Sequence, residues 1–223
     1  MKALLYKEFK LAMHPICYVF VCLFPLMIFI PSYPIWIGFV YVLSCYPILF
    51  LGANKGQQSN DLLFSTLLPV RKKDIVLARI ITVITLQVAF ILLLSALWPA
   101  AWFMRQGIPD YTDVGLGLNA FVSVLGIAII DFAIADIIFF PIYYKNGKSI
   151  VMSTLLTIIG FIIFLAIFAI VLVYIPFMPW YAEALSGPIW IQFIVLGVSI
   201  LISAGLHVLT YKISSKRLEK VDF

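Results

Sequence analysis

Residues 60–80 read NDLLFSTLLPVRKKDIVLARI, an apolar stripe, a proline and a dense basic run set between two long hydrophobic segments. Leu63 and Leu67 are spaced i, i+4, while Phe64, Leu67 and Leu68 are spaced i, i+3, i+4, so about two helical turns present one apolar face. Asn60 or Asp61 can cap the start of this helix, and Pro69 limits its end. Beyond it, Arg71, Lys72 and Lys73 suit lipid headgroups, and Asp74 is placed to cap the next helix. The spacing predicts a short amphipathic helix outside the hydrocarbon, within residues 57–70. Its apolar face must fold back onto the chain's own helices or the membrane surface, or else bind another subunit.

Outward from this stretch the chain is mostly apolar. Its 223 residues are 64% hydrophobic and 11% charged, with a mean hydropathy of +1.13, which excludes a water-soluble domain and makes the bilayer its solvent. A spanning helix needs roughly 20 apolar residues. The apolar runs predict spans near 16–33, 35–53, 80–100, 117–142, 150–175 and 189–210, an all-α polytopic membrane protein with six transmembrane helices in one domain over 1–223. Pro31 and Pro34 mark a tight turn between the first two.

The fifteen Lys and Arg residues set the orientation. All but Arg105 fall before span one, between spans two and three, between four and five, or after span six. Both termini, including a tail at 211–223, are therefore expected in the cytoplasm, with the chain in the plasma membrane. Because these cations sit at the ends of hydrophobic runs, the basic pI of about 9.1 reports topology and no nucleic-acid partner. Near the amino terminus, Leu5, Phe9, Ala12 and Met13 recur at helical spacing, with Lys2, Lys7 and Lys10 on other faces. This predicts an interfacial helix over residues 1–14 whose lysines meet anionic lipid phosphates; the alternative is a tail with ordinary topology-setting charges. The first span has no cleavage site and is expected to be retained.

Bond chemistry is not expected. NGKS at 146–149 matches the end of a phosphate-binding loop, but Ile142 stands where the first glycine is needed. ALSG at 184–187 places Ser186 in an outer loop, whereas His207 belongs near the inner face, so they cannot form a protease site. His14 and His207 have no ligand-spaced partners, and Cys17, Cys22 and Cys45 lie in apolar runs, so no metal centre is predicted.

Asp131 and Asp136 are unusual, because carboxylates within a span are costly and face a bundle interior or water. Counted from Tyr143, Asp136 lies about 10 Å deep and Asp131 about 18 Å. The two are about 140° apart around the helix, which argues against an acid dyad. Either each is protonated or hydrogen-bonded to a neighbouring helix, or Asp131 lines a translocation path and Asp136 its inner vestibule. Ser199, Ser203 and His207 form an i, i+4, i+8 stripe suited to close helix packing.

The 60–80 stretch, with an acid and an aromatic before LPV, a basic run and IV, resembles the ABC type-2 (ABC-2) transporter permeases. PIYYKNGKS at 141–149 is similar to the proline, tyrosine, lysine and glycine pattern at the inner end of span four in that family. The resemblance covers the whole chain and implies an elbow helix at the amino terminus and a coupling helix between spans two and three. It further implies a unit of two six-span subunits, as homodimer or heterodimer, with two cytoplasmic ABC ATPases that bind ATP and Mg; the permease itself holds no cofactor. Asp61, Leu63, Phe64, Leu67, Leu68, Arg71 and Lys72 would then contact the ATPase. The implied function is ATP-driven export of hydrophobic or amphipathic peptides, lipids or drugs. Two rivals are a proton-coupled carrier using Asp131, and a membrane scaffold or immunity protein that transports nothing.

Overall fold

The computed structural model describes residues 2–29, 36–48, 70–106, 121–146, 150–174 and 188–220, and among these it contains helices and no strand. Helix α1 (Lys2–Lys7) passes into a π-helical turn, Glu8–Ala12. Helix α2 (Pro15–Leu23) starts on His14, whose Nδ1 accepts from the Ile16 amide at 3.3 Å, and runs on as a 3-10 segment, Phe24–Phe29. Proline at the first turn of α2 loses no helical hydrogen bond, since its N–H would have had no partner there. Then follow α3 (Trp36–Cys45), α4 (Lys72–Gln106), α5 (Phe121–Asn146), α6 (Ile150–Tyr174) and α7 (Ile189–Glu219).

Three helical stretches, Lys72–Met104, Phe121–Lys145 and Ile189–Glu219, are long and apolar enough to cross a bilayer. Leu4–Lys10 and Pro15–Phe29, bent by 74° at their junction, make a fourth if the pair is one span. The described residues thus establish three or four spans of the six expected. The Pro31–Pro34 turn lies outside them.

Two helices overrun their expected limits. Helix α4 begins at Lys72 rather than near 80, and α7 continues to Glu219, taking in most of the expected 211–223 tail. No breaker interrupts either extension, and tertiary contacts hold both. Lys73 Nζ lies 3.2 Å from Glu219 Oε1 at their shared end, and Arg217 Nη1 donates to the Pro141 carbonyl at 2.6 Å.

On α7, burial runs opposite to that of a soluble protein. On α7 the buried positions are Gln192, Ser199, Ser203, Thr210, Ser214, Ser215 and Leu218, whereas Ile189, Trp190, Phe193, Ile194, Val198 and Leu201 are exposed. A helix that hides small hydroxyls and shows its aliphatics is built for a lipid surround. Several hydroxyls bond back to their own helix: Thr82 to Ala78 O, Ser95 to Ile91 O, Thr157 to Ser153 O, Ser199 to Val195 O and Thr210 to Leu206 O. Their burial therefore strands no donor.

Helix α5 is the centre of the bundle. It packs most extensively on α7 and also touches α3, α4 and α6. The α5–α7 approach is tight at Gly126, where a Cβ would stand 2.9 Å from Ser199 Oγ and 3.3 Å from Leu196 Cα. Against α3 the same role falls to Gly38, whose absent Cβ would meet Ala128 Cβ at 3.0 Å. Between α3, α4 and α5, Tyr41, Phe90 and Phe132 form a three-ring cluster with centroids 4.5–5.5 Å apart. Such ring contacts add specific attraction to the area they bury.

Candidate functional site

Two polar layers cross this apolar bundle. The outermost, at the end that carries Lys72, Lys145 and Glu219, is built on Arg79. Two turns into α4, Arg79 is 1% exposed and Glu8 of the π-helical turn is 2% exposed. Arg79 Nε donates to Glu8 Oε2 at 2.9 Å and Nη2 to Oε1 at 3.2 Å, a two-pronged pairing of fork and carboxylate. Its Nη1 donates to the Tyr143 hydroxyl at 2.8 Å, and the guanidinium carbon lies 5.6 Å from the Tyr143 ring centre. Lys7 Nζ stands 3.8 Å from Glu8 Oε1. This layer ties the amino-terminal segment, α4 and α5 together, and Arg217 adds α7 through Pro141.

The second layer lies deeper. Gln87 is eight residues beyond Arg79 and Asp136 seven before Tyr143, so both helices place it about 10–12 Å further in. At its centre Asp136 is completely buried. Its Oδ1 accepts from the Tyr46 hydroxyl at the end of α3. Its Oδ2 meets Gln87 Nε2 of α4 at 2.9 Å and His207 Nε2 of α7 at 3.1 Å. Gln87 Nε2 also donates to the Tyr46 hydroxyl at 3.1 Å, and His207 Nδ1 lies 2.7 Å from the Ser203 carbonyl. One carboxylate thus joins four helices, and burying it is tolerable because every one of these groups has a partner.

Asp131 differs. It is 3% exposed, and its carboxylate makes no hydrogen bond among the described residues. Its Oδ2 lies 3.5 Å from where a Cβ of Gly38 would stand, in the space that glycine leaves open.

The residues singled out in the sequence divide accordingly. Asp131 and Asp136 are both buried on α5 and meet different neighbours. Asp61, Leu63, Phe64, Leu67 and Leu68 lie outside the described residues. Arg71 is exposed just ahead of α4, and Lys72, its first residue, is half-buried. Lys2 and Lys10 are exposed, whereas Lys7 is 9% exposed and beside Glu8. Of the Ser199, Ser203 and His207 stripe, Ser199 serves packing at Gly126, while His207 reaches Asp136. No group of three metal-ligating side chains occurs among the described residues.

Sequence reasoning passed over Glu8, Tyr46 and Gln87, and took Arg79 for a boundary charge. Two signals were present: Gln87 interrupts an apolar run in mid-helix, and Arg79 stands eight and seven residues past the headgroup cations Arg71 and Lys72, where an unpaired charge would be costly.

A family model described as ABC-2 family transporter protein matches residues 3–217, almost the entire chain. The chain belongs to the ABC-2 transporter family. Neither a curated protein nor a solved structure matches it. As an ABC-2 protein it is a multi-pass membrane permease of an ABC transporter, a transport subunit whose ATPase is a separate partner. Both polar layers therefore belong to a permease.

Proposed function

We propose that this chain is the six-span half of an exporter dimer, with both termini in the cytoplasm of a plasma-membrane transporter and an elbow helix at its amino end. Its cargo is a hydrophobic or amphipathic peptide, with lipids or drugs as the neighbouring classes. The segment 57–70 docks the ATPase, which binds ATP and Mg. Leu63, Phe64, Leu67 and Leu68 supply the apolar contact, with Asp61, Arg71 and Lys72 as its polar rim. Lys2 and Lys10 rest on anionic headgroups, with Lys7 turned toward Glu8. Asp131 faces the path and can pair with a cationic group on the cargo. Asp136 joins the path when its hydrogen bonds open.

The observation that carries this reading is the placement of α4. It starts at Lys72, directly after the docking segment, and holds both Arg79 and Gln87 on one continuous 35-residue helix. A pull on the segment therefore reaches both polar layers without an intervening joint. The test is reconstitution of the chain with its ATPase in liposomes holding a fluorescent amphipathic peptide. Peptide moves only while ATP is hydrolysed, and F64D with L67D abolishes both movement and co-purification of the ATPase. Retained co-purification removes the docking assignment. Uptake by the isolated chain under a proton gradient replaces the pump with an ion-coupled carrier.

A further inference from the structure

The proton count in the deeper layer is fixed by its heavy atoms. A backbone carbonyl only accepts, so the 2.7 Å contact between His207 Nδ1 and Ser203 O requires a hydrogen on Nδ1. Ser203 Oγ, 3.2 Å from the same nitrogen, is then a second acceptor. With Nδ1 protonated, Nε2 of a neutral imidazole bears a lone pair, and it faces Asp136 Oδ2 at 3.1 Å. Two lone pairs cannot hold that contact in a buried site, so a proton lies between them. It resides on the imidazole, giving imidazolium and carboxylate, or on the carboxyl beside a neutral ring. Either way the pair carries one proton and no net charge.

We infer that Asp136 and His207 form a proton-binding site that closes the joint between α5 and α7, and that loss of its single proton opens this joint. The site itself is four-sided. Helix α3 contributes Tyr46, with Tyr41 and Cys45 behind it; α4 contributes Gln87; α5 contributes Asp136, with Asp131 further along; α7 contributes His207 and Ser203. Arg79, Glu8 and Tyr143 form the separate layer toward the basic end, and Lys212 is exposed one turn beyond His207. No cation other than His207 touches Asp136 among the described residues, and Tyr46 and Gln87 donate to it without gaining or losing a proton near neutrality. The Asp136–His207 contact at this joint thus depends on one proton.

The His207 side chain is 14% exposed and the Asp136 side chain 0%, so the proton departs to water from the imidazole. What remains is a carboxylate oxygen facing a nitrogen lone pair, and α7 separates there. The α3 and α4 donors still hold Asp136, so the break falls between α5 and α7. Opening is therefore favoured as pH rises, with the open-to-closed ratio growing by at most about tenfold per pH unit for one proton. This opening exposes Asp136.

The test uses the full chain in lipid nanodiscs. Labelling with 15N-histidine gives signals from His14 and His207 alone, and H14Q identifies which is which. Separate samples carry spin labels through K145C and K212C, both at exposed positions on α5 and α7, with C22S removing the one exposed cysteine among Cys17, Cys22 and Cys45. The expected result is a His207 with Nδ1 protonated, whose remaining proton leaves over the same pH interval in which the 145–212 distance lengthens. D136N and H207Q should each abolish the pH dependence of that distance. An unprotonated Nδ1 overturns the inference, as does titration of His207 with no change in distance, or an unchanged pH response in D136N. The two measurements with Asp136 and His207 intact decide it even where D136N or H207Q does not fold. None requires an ATPase or a cargo, so the outcome is distinct from that of the proposed function.

Discussion

Glu8 and Arg79, 71 residues apart in sequence, meet as an ion pair in which neither side chain is more than 2% exposed. The two charges have been taken out of water together, and each makes the other's burial tolerable. Removal of either partner breaks this buried pair at a cost of about 3 kcal/mol. E8Q and R79Q should each lower the stability of the detergent-solubilised chain by that amount, while the double variant loses less than the sum. Additive losses in the unfolding cycle would show that the pair is not coupled.

Asp131 gives a prediction of a different kind, because its carboxylate is buried beside Gly38 and has no hydrogen bond from the described residues to lose. D131N should leave assembly with the ATPase unchanged and lower export of a cationic amphipathic peptide by about tenfold, the loss of one charge-assisted contact of roughly 1.5 kcal/mol. Export of a neutral analogue should be unaffected. Equal effects on both peptides, or failed assembly, would return Asp131 to a packing role.

Gly126 tests the α5–α7 seam. An alanine methyl there would meet Ser199 Oγ at 2.9 Å and the Leu196 backbone at 3.3 Å, so G126A should destabilise the chain by about 1–3 kcal/mol through overpacking. S199G in the same chain should recover much of the loss by vacating that side. Thermal unfolding of the four proteins in one detergent measures both effects, and absence of rescue would place the strain on the Leu196 backbone instead.

The seven helices were largely legible because an apolar run must be helical in lipid, where only internal hydrogen bonds satisfy the backbone. That principle located α4 to α7 but not their ends. Asp74 reads as the cap of the next helix and Tyr211 to Glu219 as a tail, yet the helix already begins at Lys72, with Asp74 inside its first turn, and the tail is helical too, with Arg79–Glu8, Lys73–Glu219 and Arg217–Pro141 contacts along them. The candidate site was legible only at Asp131 and Asp136, where a charge stands in an apolar run. Their environments were not, since Tyr46, Gln87 and His207 converge from three other helices and no spacing along one helix reports it. Arg79 was read by its sign; its function comes from Glu8, which lay hidden among the amino-terminal lysines.

The hydroxyls that bond to their own helix bear on how these helices move past one another. Ser199 and Thr210 spend their hydrogens on carbonyls one turn back, so at those points α7 can slide along α5 without breaking a bond between them. The surface behaves as a greased rail, polar in composition yet indifferent to register. Resistance to sliding is concentrated where side chains reach across, at His207 on Asp136, at Arg217 on the Pro141 carbonyl and at Gln192, whose Oε1 accepts from the Val122 amide. Among the described residues the pair of helices is therefore a slide with three catches, and all must be released before the rail is free to run.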